Sequence, residues 1–114
     1  MSVTGARATL AWLVVAVGLA TGLAACSRAP DLEALCARVG PCETKSVSLC
    51  VVERRRLYDA QKERGCGDEG AEVVACEIEH GRCESSGSLT LFMPTDRCLP
   101  AIDKLGECFD RTRR

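Results

Sequence analysis

Nine cysteines in a chain of 114 residues carry most of the chemistry this sequence has to offer. One of them, Cys26, closes a long uncharged stretch. The other eight are Cys36, Cys42, Cys50, Cys66, Cys76, Cys83, Cys98 and Cys108. Thiols at this density cross-link as disulfides, hold a metal or exchange electrons, and spacing separates the three. Structural zinc sites bring their ligands in C-x₂₋₄-C pairs. The closest pair here is Cys36-x₅-Cys42. There is no C-x-x-C dithiol for redox exchange and no C-x-x-C-H for haem attachment. Eight is even and fits four disulfides, provided Cys26 is used for something else. No metal and no cofactor is expected. His80 is the only histidine, so neither a triad nor a multi-histidine site can be assembled. No Gly-rich phosphate loop or paired-carboxylate motif appears, no catalytic residue is assigned, and the chain is not expected to be an enzyme.

Cys26 follows Leu23-Ala24-Ala25, and the segment ahead of it has the layout of a signal peptide. Met1 to Arg7 is a short n-region with one positive side chain. Ala8 to Ala25 holds 18 uncharged residues, mostly Ala, Leu and Val. That is the lower limit for a span of a bilayer core about 30 Å thick, and Gly18, Thr21 and Gly22 dilute it further. A retained span is therefore the weaker alternative, as is ordinary secretory cleavage after Ala25. Leu23-Ala24-Ala25-Cys26 resembles the lipobox of bacterial lipoprotein precursors. The resemblance implies that the Cys26 thiol takes a diacylglycerol, that cleavage falls before Cys26, and that the new amine is acylated with a palmitate-type chain. Two or three acyl chains exceed the one-chain limit for stable anchoring. It also implies that Ser27, where an Asp would favour inner-membrane retention, directs the protein to the outer membrane of the cell envelope. The expected organisation is a signal peptide over 1–25, a lipidated N-terminus and short tether over 26–30, and a cysteine-rich domain over 31–114.

The part after the signal has 89 residues, and its only aromatics are Tyr58, Phe92 and Phe109. So small a domain with so little bulky apolar material gains little from burial alone. Each disulfide typically adds about 2–4 kcal/mol, mainly by restricting the unfolded chain. The predicted fold is mainly α: a small disulfide-stapled bundle of about four short helices. Pro30 can precede a helix over Asp31–Val39 that Gly40-Pro41 would end. A second helix is expected over about Ser46–Arg64, stopped by Gly65. A third runs from Asp68, a suitable N-cap, to His80, with Glu69 and Glu72 at the positive end of its dipole. A fourth runs from Thr95 or Asp96 to Asp110, with Cys98, Ile102, Leu105 and Phe109 forming a buried stripe. Pro100 is tolerated in its first turn.

Cys66-x₉-Cys76 and Cys98-x₉-Cys108 have identical spacing on the last two of these helices. Ten residues at about 1.5 Å each separate the sulfurs of one helix by roughly 15 Å, so antiparallel partners could be clamped by two rungs. Antiparallel packing favours Cys66–Cys108 and Cys83–Cys98. The spacing resembles the twin C-x₉-C hairpin of mitochondrial coiled-coil-helix proteins over residues 66–108, and that likeness implies Cys76–Cys98 as the alternative second rung. The remaining cysteines have no pairing fixed by sequence. The whole domain also resembles the small cysteine-rich helical lipoproteins of high-GC Gram-negative genomes, which carry no established activity.

Residues 84–94 break the helical pattern. Glu84-Ser85-Ser86-Gly87-Ser88 has linker composition and leads into Leu89-Thr90-Leu91-Phe92-Met93 and Pro94. Leu89, Leu91, Phe92 and Met93 are the candidate partner contact, unless Leu91 and Phe92 fold back to cap the bundle. Arg54-Arg55-Arg56 reads as a solvated helix face, because acidic residues number 16 against 15 basic ones, and no nucleic-acid partner is expected. The function expected is a membrane-anchored envelope lipoprotein, a structural or interaction module binding another envelope protein. The alternative is a secreted-type inhibitor or effector scaffold that presents the 84–94 loop. Neither reading fixes an oligomeric state.

Overall fold

The computed structural model describes residues 29–113. The expected signal stretch and the lipobox-like segment, with Cys26 and Ser27, lie outside the described residues, as does Arg114. The domain contains four α-helices and one β-hairpin: α1 (Leu32–Glu43), α2 (Val47–Glu63), α3 (Gly67–His80), β1 (Arg82–Ser86), β2 (Leu89–Met93) and α4 (Leu99–Arg111). A single 3₁₀ turn, Asp96–Cys98, leads into α4. Among the described residues no helix is long and apolar enough to cross a membrane.

Local signals start and stop most of these elements. Asp31 caps α1, its Oδ1 accepting from the Ala34 N–H at 3.0 Å. Ser46 caps α2 in the same way, accepting from the Leu49 N–H at 3.1 Å. Gly65, with φ +77°, turns the chain away after α2. Helix α3 begins at Gly67, so Asp68 lies inside its first turn with Glu69 rather than at the cap, and His80 closes its last turn. Both positions still suit the helix dipole. Pro100 falls in the first turn of α4, where it removes no hydrogen bond that the helix would otherwise make.

Gly40-Pro41 does not end α1. The helix continues to Glu43 and finishes with Thr44 in the left-handed region at φ 52°. An interior proline normally costs about 3 kcal/mol. Tertiary packing offsets that cost here. Val39, Gly40 and Cys42 are all buried in this last turn, and Cys42 is bridged to Cys83.

Residues 84–94 are not a linker but most of a β-hairpin. Arg82 pairs with Met93, Cys83 with Phe92, Glu84 with Leu91, Ser85 with Thr90 and Ser86 with Leu89. Gly87, at φ +62°, takes the first place of the two-residue turn, a position closed to most side chains. Across the hairpin the Ser85 and Thr90 hydroxyls meet at 3.1 Å.

The core gathers around α1. Leu32, Leu35, Cys36 and Val39 are at most 2% exposed, and Cys42, Cys50, Val74 and Phe92 join them from the hairpin and from all three of the first helices. Four disulfides, Cys36–Cys50, Cys42–Cys83, Cys66–Cys108 and Cys76–Cys98, bind the elements together. Their Cα atoms are 5.7–5.9 Å apart, the ordinary disulfide span. The Cys66–Cys108 rung forms as antiparallel packing of α3 and α4 requires. The second rung is Cys76–Cys98, not Cys83–Cys98. Cys83 lies beyond the end of α3, on the hairpin face that carries Phe92 toward α1, and so meets Cys42.

Candidate functional site

The hairpin is the element whose position is most heavily determined. Its base is bonded to α1 through Cys42–Cys83. The Glu43 carboxylate Oε2 accepts the Phe92 N–H at 2.9 Å, which fixes β2 against the end of α1. The Arg38 guanidinium lies 5.2 Å from the Phe92 ring centroid, within cation–π range. The same guanidinium donates to main-chain oxygens at the end of α3: Gly81 at 2.7 Å, Glu77 at 3.3 Å and Ile78. Arg38 thus satisfies terminal carbonyls that a helix leaves unpaired and joins α1, α3 and the hairpin at one point. Gly81 is buried beneath Phe92; a Cβ there would stand 2.6 Å from the ring's Cε1 and 2.6 Å from the Glu77 carbonyl oxygen.

Strand alternation divides the four candidate contact residues. Phe92 is 5% exposed and faces α1, so it is removed from the set that a partner could touch. Its ring caps the core. Leu91 does not fold back with it. Leu89, Leu91 and Met93 point the other way and are 57%, 40% and 44% exposed. Their cross-strand neighbours on that outer face are Ser86, Glu84 and Arg82. The hairpin therefore presents three apolar side chains in a row with a polar border.

A second feature lies on the opposite side of Phe92. A cleft of about 320 Å³ opens between α2, α3, α4, β2 and the start of α1, with Leu32, Val74, Phe92, Ile102 and Leu105 among its walls. The expected buried stripe of α4 is buried only at Cys98. Ile102, Leu105 and Phe109 are half-buried, because α4 leans on α3 at its edge and leaves the cleft open. Glu77 reaches into the cleft with its side chain 8% exposed. Its Oε2 stands 3.7 Å from Arg54 Nη1 on α2, and its carboxylate accepts no hydrogen bond among the described residues. Burial pushes the Glu77 carboxyl above the usual carboxylate range, and the Arg54 charge only partly opposes this.

Neither Glu77 nor Arg54 was singled out by sequence reasoning. Arg54 is read there as part of a solvated arginine run, yet it is half-buried while Arg55 and Arg56 are exposed. The available signal was periodicity. Gly70, Val74, Glu77 and Gly81 recur at i, i+4, i+7 and i+11, and all four are buried. An acidic residue on that stripe is the anomaly.

His80 has Glu79 at 3.7 Å as its acidic neighbour. Among the described residues no group of three or more His, Cys, Asp or Glu side chains is arranged to hold a metal ion. No protein-family model, curated protein or solved structure matches this chain.

Proposed function

We propose that this protein is a lipid-anchored lipoprotein of the cell envelope whose stapled domain binds another envelope protein through the outer face of its hairpin. The observation that carries the contact is the row of Leu89, Leu91 and Met93, exposed on a hairpin that the Cys42–Cys83 disulfide, the Phe92 N–H bond to the Glu43 carboxylate and the buried Phe92 ring hold in place. Exposed apolar side chains scattered singly are ordinary. Three on one face of a preorganised element are suited to binding, because little further entropy is lost when a partner arrives. The lipobox ending at Cys26 supports the anchor, and Ser27 supports the outer membrane.

Two measurements test the reading. Radiolabelled palmitate should label the wild-type protein and not Cys26→Ser; label retained in that variant refutes the anchor. A photo-crosslinker at Leu91 should capture a defined envelope protein that the same group at Leu49, an exposed site on α2, does not capture. Equal capture from both positions refutes the contact face. A hydrolase captured specifically at Leu91 would instead favour an inhibitor that presents its hairpin.

A further inference from the structure

We propose that the cleft between α2, α3, α4, β2 and the start of α1 is a binding site for a small primary amine with an apolar body, its ammonium seated against the Glu77 carboxylate. The volume of about 320 Å³ falls at the small end of ligand pockets. Leu32, Val74, Phe92, Ile102 and Leu105 offer an aromatic ring or a short alkyl chain an apolar environment. Glu77 supplies the polar anchor. A carboxylate has about four lone-pair sites, and here the only charged partner is an Arg54 nitrogen at 3.7 Å, too distant for a hydrogen bond.

The retention of such a group is itself informative. Buried ion pairs contribute little to stability compared with apolar side chains of similar size. A buried carboxyl with a raised pKa beside an open cleft is the arrangement that functional sites use. The ammonium of an amine carries three donors on one compact charge, so it can supply the hydrogen bonds that Arg54 does not. Arg54 also lines the cleft, half-buried with its side chain 27% exposed, so water partly screens its competition for the carboxylate. An anionic ligand would meet the Glu77 charge, and a neutral one would leave that charge unpaired. This site is separate from the hairpin's outer face and does not depend on what that face binds.

The test uses the full-length oxidised protein in phosphatidylcholine nanodiscs, titrated calorimetrically with phenethylamine at mildly alkaline pH. One saturable site is expected. Glu77→Gln should weaken it by about tenfold or more, the scale of a charge-assisted hydrogen bond. Phenethyl alcohol and phenylpropionate should bind at least about tenfold more weakly than the amine on the same grounds. Leu105→Trp, which fills the cleft from its half-buried α4 wall, should abolish binding while intact mass still shows four disulfides. If Glu77→Gln does not fold, the charge series and Leu105→Trp decide the matter. Absence of saturable binding overturns the proposal. So does equal affinity in Glu77→Gln, or phenylpropionate binding as tightly as the amine.

Discussion

Helices α1 and α4 are of similar length, 12 and 13 residues, but they are held by different physics. Helix α1 buries Leu32, Leu35, Cys36, Val39, Gly40 and Cys42, and every other element of the core packs around it. Helix α4 buries only Cys108 along its own length, with Cys98 just before it. Ile102, Leu105 and Phe109 are half-buried. Its position is set instead by two rungs to α3, Cys66–Cys108 and Cys76–Cys98, with Arg64 stacking 4.4 Å from the Phe109 ring centroid and donating to its carbonyl at 2.9 Å. Burial and two bridges of its own, Cys36–Cys50 and Cys42–Cys83, hold α1, whereas α4 has two bridges and little burial. A chain with few large apolar residues can complete only one compact core, and it places further helices by cross-linking them.

The contrast can be broken most severely by removing both rungs. Serines at Cys66, Cys76, Cys98 and Cys108 should cost about 2–5 kcal/mol for each bridge lost. Hydrogen exchange should then show α4 unprotected while α1 keeps its protection. Equal loss of protection in both helices would mean that α4 belongs to the same cooperative core. On the burial side, Phe92→Ala should cost about 3–5 kcal/mol in thermal or denaturant melting, because it empties the space between α1 and the hairpin. An unchanged melting temperature would contradict the core role of Phe92.

A milder comparison uses one leucine from each helix. Leu35→Ala, fully buried in α1, should cost about 2–5 kcal/mol. Leu105→Ala, on the half-open wall of α4, should cost about 1 kcal/mol, as only part of its area leaves water. Denaturant melts of the two variants check the ratio, and similar costs would erase the distinction between the helices.

The smallest effect concerns pH. Burial raises the Glu77 carboxyl above its ordinary value of 4.5, so the folded chain holds that proton more tightly than the unfolded chain. Its stabilising contribution is present in full below 4.5 and is lost as pH rises through the raised folded value. Glu77→Gln should therefore flatten the fall in stability across that window in melts at stepped pH. A slope identical to wild type would show that Glu77 does not hold its proton more tightly in the fold.

Where the structure follows nearest-neighbour chemistry, the sequence could be read directly. The Gly65 stop of α2 depends on one residue and the few beside it. The end of α1 could not be read this way. Gly40-Pro41 is a breaking signal locally, and only the Cys42–Cys83 bond and the burial of Val39 and Cys42 override it. The hairpin was hidden for a related reason. Residues 84–88 have linker composition, and Phe92 among Leu91 and Met93 obscures the alternation that only packing against α1 makes visible.

By itself, the sequence determined the even set of eight cysteines and the mainly helical class, since both depend on residue type and short spacing. Tertiary structure alone decided that Cys83 joins Cys42 and that Cys76 joins Cys98, because a cysteine's partner depends on which Cα atoms come within about 6 Å and not on their order in the chain. It also decided that Glu77 faces Arg54 across a cleft. Two residues that are 23 positions apart on different helices meet only when α2 and α3 pack, and no local signal carries that distance.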